Sequence, residues 1–263
     1  MILSSRFVSR IDLKPDPDPD NDTSRYPFNL PAVRSLDALE LHPKITYFVG
    51  ENGSGKSTLL EALAVSLGYN AEGGSQSLHF QTRDTHSPLH ERLRVSKGLR
   101  RPRTGYFLRA ESFYNVASTL DEMEEDPYTA GVLASYGGRS LHMQSHGESF
   151  LALVMQRFGP EGLYLLDEPE AALSPQRQLT LLARLHQLIE EKSQFVIATH
   201  SPILMAYPDA WIYAFGEDGI RRVAYEETEH YQVTRDFLAN PRRMLDILMS
   251  DPDDTQHTSD ETP

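Results

Sequence analysis

Gly50-Glu51-Asn52-Gly53-Ser54-Gly55-Lys56-Ser57 satisfies the pattern G-x-x-x-x-G-K-[ST] at every fixed position. Before it, Lys44-Ile45-Thr46-Tyr47-Phe48-Val49 reads as a buried strand, and after it Thr58-Leu59-Leu60-Glu61-Ala62-Leu63-Ala64 reads as a helix. A glycine loop between a strand and a helix is the setting in which this pattern cradles phosphate. Glycines let the backbone curl so that successive N–H groups point inward. The helix N-terminus, opening at Ser57 and Thr58, adds partial positive charge, and Lys56 reaches the outer phosphates. The Ser57 hydroxyl suits Mg²⁺, a hard cation that takes oxygen ligands. Residues 50–58 therefore predict a nucleoside-triphosphate site.

Two later strands carry chemistry of their own. Gly162-Leu163-Tyr164-Leu165-Leu166-Asp167-Glu168-Pro169 is an apolar run that stops at two acids, which places carboxylates at the carboxyl edge of a parallel sheet, where ligands bind. Asp167 suits a Mg²⁺ partner, direct or through water, and Glu168 suits the general base that polarises an attacking water. Gln194-Phe195-Val196-Ile197-Ala198-Thr199 ends at His200 and follows Glu168 by one helix, 175–191. His200 either caps the core or reaches the γ-phosphate from a neighbouring strand edge. Upstream, Gln144-Ser145-His146-Gly147-Glu148-Ser149-Phe150 precedes an amphipathic run over 151–158. It reads either as an ordinary serine cap or as a second phosphate-seeking helix N-terminus, most useful against the nucleotide of another subunit.

The chain has 263 residues, 39% hydrophobic and 24% charged, which fits one soluble domain of ordinary composition. No apolar run approaches the roughly 18–20 residues of a membrane span, and the first ten residues lack a signal-peptide core. The absence of cysteine excludes disulfides and thiol catalysis, and it fits a cytoplasmic protein. A net charge of −13 argues against a surface that binds nucleic acid all over. Asp16-Pro17-Asp18-Pro19-Asp20-Asn21-Asp22 and the C-terminal tail are too acidic and too poor in apolar residues to fold alone, so 251–263 reads as disordered. Between Arg83 and Arg109 the sign reverses, with Arg92, Arg94, Lys97, Arg100, Arg101 and Arg103 between them. That run is either a solvated face or a docking surface for nucleic acid or an acidic partner.

Five motifs in order, the glycine loop, Ser145-His146-Gly147-Glu148-Ser149, Leu165-Leu166-Asp167-Glu168-Pro169, Ala171-Ala172-Leu173-Ser174 and His200, resemble those of ATP-binding-cassette ATPases across about 28–215. The wording is similar to small soluble bacterial ATPases of the AAA family near the recombination-repair and chromosome-maintenance branch. The resemblance implies an α/β fold, with a mostly parallel sheet, an N-terminal antiparallel β portion and a helical subdomain inserted at about 73–144 in a single domain over 1–250. It implies ATP and Mg²⁺, and a head-to-tail homodimer. Each nucleotide would be held by the glycine loop of one chain and by Ser145, Gly147 and Glu148 of the other. Glu168, His200 and Lys56 would serve hydrolysis, and Ser57 and Asp167 the metal.

The sequence departs from the family at His146, where transporter cassettes usually have glycine, and at Ser174, where aspartate is usual. The glutamine that links the metal site to the inserted subdomain is either Gln81 or Glu111, with topology favouring Glu111. Tyr26 or Phe28 either stacks on adenine or belongs to the core. With 87 residues between Ser57 and Ser145 and no heptad repeat, no long coil is expected. The expected function is a cytosolic ATP-driven switch acting on a partner protein or DNA. The alternatives are a transporter subunit working with a separate membrane permease, and a module that binds nucleotide without turnover.

Overall fold

The computed structural model describes residues 6–15, 25–76, 87–125, 131, 133–134, 140, 142 and 146–250. In chain order the strands are β1 (Val8–Leu13), β2 (Leu39–Glu40), β3 (Ile45–Gly50), β4 (Leu93–Lys97), β5 (Thr104–Arg109), β6 (Gly162–Asp167), β7 (Gln194–Ala198), β8 (Trp211–Gly216) and β9 (Gly219–Val223). The helices are α1 (Pro31–Arg34), α2 (Lys56–Ser66), α3 (Leu89–Arg92), α4 (Phe113–Glu125), α5 (His146–Arg157), α6 (Pro175–Glu190), α7 (Pro202–Met205), α8 (Glu229–Ala239) and α9 (Pro241–Met249).

Six strands form one sheet in the order β5-β6-β7-β3-β8-β9, parallel except for β9, which returns antiparallel on β8. The central strands are apolar on both faces because both are covered, as a parallel sheet requires. Alternation sorts each strand between two cores. Ile45, Tyr47 and Val49 face one side with Tyr164, Leu166, Phe195 and Ile197, under α4, α5 and α6. Phe48, Leu163, Leu165 and Val196 face the other, against α2 and the smaller sheet. That smaller sheet is antiparallel, in the order β2-β1-β4.

One fully buried amide joins the two sheets. Gln194 Oε1 accepts the N–H groups of Phe7 (2.9 Å) and Val8 (3.0 Å), while its Nε2 donates to Val8 O (2.7 Å) and His42 O (2.9 Å). Both lone pairs and both protons of that amide are used, so its burial carries little desolvation cost.

The α/β architecture expected from the sequence is present, with its parallel sheet and its antiparallel N-terminal portion. The stretch 73–144 differs from a purely helical insertion. Its β4 pairs with β1 and its β5 pairs with β6, so part of it completes both sheets. The helical portion among its described residues is α3 and α4. The reason lies in the side chains of Leu93, Tyr106, Phe107 and Leu108, all buried in the two cores. The acidic stretch 16–22 and the tail 251–263 lie outside the described residues, as do Arg83 and most of 126–145.

Candidate functional site

The parallel strands deliver their chemistry to one edge. Register aligns Arg109 at the end of β5 with Asp167 at the end of β6, and Asp167 with Ala198 at the end of β7. β3 ends beside them and continues into the glycine loop. Gly50, Gly53 and Gly55 all take positive φ, at 143°, 79° and 98°. A Cβ on Gly50 would come within 2.3 Å of Phe215 O, so glycine is required both by conformation and by the approach of β8. The loop feeds α2 without a side-chain cap, leaving the first N–H groups of that helix for a ligand. Glu51, Asn52 and Gly53 are exposed, and Ser54 Oγ is buried without a hydrogen-bond partner.

Lys56 is 3% exposed and folds back on the loop, its Nζ donating to Gly50 O and Glu51 O at 2.8 Å each. Burial lowers its pKa, against the opposing pull of Glu168, Asp167, Glu170 and Glu51. Ser57 Oγ donates to Asp167 Oδ1 at 2.8 Å, bringing together the two residues expected to share a metal. Asp167 is pushed up to about 6, chiefly by burial, while the Ser57 hydroxyl and the Arg109 guanidinium act the other way. Thr58 Oγ1 lies 2.9 Å from the Tyr26 hydroxyl.

Glu168 stands one residue past β6 with φ of 50°, a left-handed conformation uncommon for a residue with a Cβ. Its N–H donates to Ala198 O at 2.9 Å, which turns the chain across the end of β7. His200 Nε2 lies 3.7 Å from Glu168 Oε1. The backbone N–H of His200 donates to Glu170 Oε1 at 2.5 Å, and its Nδ1 lies 2.9 Å from His230 Nε2 on α8. Burial first, then the charge of Lys56 and the His230 ring, push His200 down to about 4. It is neutral at pH 7.

The signature segment opens α5 itself, which starts at His146, earlier than the run 151–158. Gly147 and Glu148 sit in its first turn; Ser145 lies outside the described residues. A Cβ on Gly147 would meet Ala172 O and Arg177 Nη1, both at 2.6 Å. Helix start and loop 171–174 therefore pack backbone to backbone, and Arg177 Nη2 pairs with Glu148 Oε1 at 3.2 Å.

Several residues at the site carry no sequence motif. Arg109 is the foremost: its Nη1 meets Glu61 Oε2 at 2.6 Å, and its Nε lies 3.5 Å from Asp167 Oδ2. Glu111 is largely exposed and lies 3.6 Å from Arg109, while Gln81 is outside the described residues. Of the two aromatics, Phe28 packs at the core with Arg92 5.6 Å from its ring centroid, and Tyr26 is the exposed one. The basic run is largely committed within the chain. Arg94 pairs with Asp12, and both Arg100 and Arg103 pair with Glu161. A cleft of about 720 Å³ runs along the loop, walled by residues 214–219, Arg221 and 227–230.

A family model described as an AAA domain matches residues 29–103, and a second AAA-domain model, whose description adds AbiEii toxin, Type IV TA system, matches 147–206. The chain is 30% identical over 112 residues to the chromosome partition protein Smc of Methanocaldococcus jannaschii, covering 39% of this chain and 10% of that protein. It is 28% identical over 181 residues to the ABC multidrug transporter AFR2 of Cryptococcus neoformans var. grubii serotype A, covering 62% of this chain and 12% of that one. The chain thus spans about a tenth of the length of these relatives. Among solved structures it aligns with cbiO1 from Clostridium perfringens, part of an ABC transporter complex, at 15% identity and a TM-score of 0.47, covering 92% of this chain and 99% of that one. Fold and motif set resemble those of P-loop ATPase domains of the ATP-binding-cassette type, and the two AAA-domain models match the segments that carry the glycine loop and the Asp167-Glu168 strand. Members of that class are, in general, nucleotide-hydrolysing enzymes. Among the described residues no helix is long and apolar enough to cross a membrane.

Proposed function

We propose that residues 1–250 form one domain that binds ATP with Mg²⁺, hydrolyses it, and closes as a head-to-tail homodimer, making the chain a cytoplasmic switch on a partner protein or DNA. The observation that supports this most is the 2.8 Å contact of Ser57 Oγ with Asp167 Oδ1 at the head of α2, with Glu168 and His200 facing each other 3.7 Å apart beside it.

The glycine loop fits a triphosphate: Gly50, Gly53 and Gly55 take positive φ, Ser54 Oγ is an unpartnered buried hydroxyl, and Lys56 is a desolvated cation. On binding, Lys56 exchanges its two carbonyl partners for phosphate oxygens, a charge-assisted contact that is the stronger of the two. Ser57 and Asp167 would together hold Mg²⁺, which would supply charge neutralisation at the phosphates. Glu168 is anchored through its backbone N–H to Ala198 O, so its carboxylate is carried at the strand edge to orient and deprotonate water. His200, neutral, contributes through Nε2, which is buried and has no hydrogen-bond partner. The close packing of Gly147 on Ala172 makes the helix start and the loop 171–174 one surface, supporting their joint use against the nucleotide of a partner subunit.

The test is a Glu168→Gln protein with Mg-ATP, followed by turnover assay and light scattering. Expected is lost hydrolysis, retained binding and a nucleotide-dependent dimer. A variant that stays monomeric when saturated removes the shared site, and full activity removes Glu168 from its role. The matches covering about 60% of this chain in two proteins named for drug resistance or transport favour a second reading, a transporter's nucleotide-binding subunit. Recovery of the native protein chiefly with a membrane permease would decide for it.

A further inference from the structure

The geometry points to His230, on the first turn of α8, as the residue that positions His200 for the terminal phosphate: its Nε2–H donates to His200 Nδ1 and so fixes the proton of His200 on Nε2. This rests on the hydrolytic reading above and goes beyond its motifs, since His230 lies 30 residues past His200 in a segment with no nucleotide-binding pattern.

Two rings meet edge-on, with centroids 5.0 Å apart at 63°, and their nitrogens lie 2.9 Å from each other. Burial and the nearby charge of Lys56 lower the pKa of both, so both are neutral near pH 7 and each carries one N–H. A contact of that length between neutral imidazoles takes one donor and one acceptor. Were His200 the donor, its Nε2 would be a bare lone pair facing Glu168 Oε1 at 3.7 Å, an acceptor set against a carboxylate. A phosphate oxygen arriving there would be a second acceptor. With His230 donating instead, His200 presents N–H to both, and no repulsive pair arises. His200 Nε2 is buried and unpartnered, as expected of a donor whose acceptor comes with the ligand.

The same placement makes α8 part of the site. Residues 227–230 wall the cleft opposite Glu51, Asn52 and Gly53, and the charges of Lys56, Glu51 and Glu229 act on the His230 ring. The two histidines thus tie the carboxyl end of β7 to the C-terminal helices.

The test compares wild type, His230→Leu and His230→Gln. Turnover with Mg-ATP, affinity for the nucleotide and thermal stability are measured, together with two-bond ¹H–¹⁵N spectra of the imidazoles. Expected for His230→Leu is a roughly tenfold or greater loss of kcat with KM and melting temperature little changed, as for other partners that orient a histidine. His230→Gln, whose amide N–H can reach the same acceptor, recovers most of it. The spectra show the Nε2–H tautomer of His200 in wild type and a mixture in His230→Leu. A wild-type Nδ1–H tautomer, or unchanged turnover in His230→Leu, overturns the inference, as does an equal loss in both variants that tracks melting temperature. A wild type that binds but never hydrolyses ATP would instead refute the hydrolytic reading, and the tautomer would still decide this one.

Discussion

Replacing Arg109 with methionine removes the guanidinium that bridges two nearly buried carboxylates. Its partners are Glu61 at 2.6 Å and Asp167 at 3.5 Å, with side-chain exposures of 12% and 5%. At an effective dielectric near 20, unit charges 3.5 Å apart attract by about 4.7 kcal/mol. Removing the guanidinium also removes its own desolvation cost, and at 23% exposure water partly screens the pair. The net loss is therefore about 2–4 kcal/mol, at the lower end of what breaking a buried ion pair costs. The sign with pH follows from Asp167, whose carboxyl is raised to about 6 from 3.8. A raised carboxyl contributes stability below its unfolded value and loses it as pH rises through 6. Without Arg109 the ionised form suffers further, so the loss is largest at pH 8 and shrinks toward pH 5, where Asp167 is mostly protonated. Urea unfolding at the two pH values measures this, with unchanged m. Glu61→Leu added to Arg109→Met should recover part of the loss, since two apolar groups replace a broken pair. A loss under about 0.5 kcal/mol at pH 8, or one equal at both pH values, would refute the reasoning.

Gly50→Ala should destabilise by roughly 2 kcal/mol or more, because its Cβ would press on the backbone oxygen of Phe215 and its φ is one that alanine resists; thermal unfolding checks this, and a shift within error would show that β8 yields easily. His200→Asn should flatten the acid side of the stability curve. The folded pKa of His200 is lowered to about 4 from 6.5, so the unfolded chain binds the proton first and wild type loses stability as pH falls from 6.5 toward 4. That histidine contributes up to about 1.4 kcal/mol per pH unit within the window, and Asp167 opposes it with the reverse slope. Parallel urea-midpoint curves for wild type and variant between pH 7 and 5 would contradict the assignment.

What could be read from the residues alone was chemistry written locally. The glycine loop carries its own strand, turn and helix start; Asp167 and Glu168 end an apolar run; His200 ends another. Arg109 was legible only as one cation in a basic run, because its role depends on β5 lying beside β6 in a register that aligns it with Asp167. Glu170 and His230 were silent for the same reason, as their partner is set by where β7 stops and where α8 returns. Residues 106–110 read as a strand from their apolar run, and β5 lies there, but the helical reading of the rest of 73–144 missed β4, a short strand whose Arg94 pairs with Asp12 once folded. Tyr26 and Phe28 could be told apart only by exposure.

The side chain of Gln194 gives the molecule a property that neither sheet has alone. Because a single interior carboxamide grips the first strand and the turn before β3 from the amino end of β7, peeling the smaller sheet away would strand several buried polar groups at once. Slow amide exchange at Phe7 and Val8 should therefore report how firmly the two sheets are docked on each other.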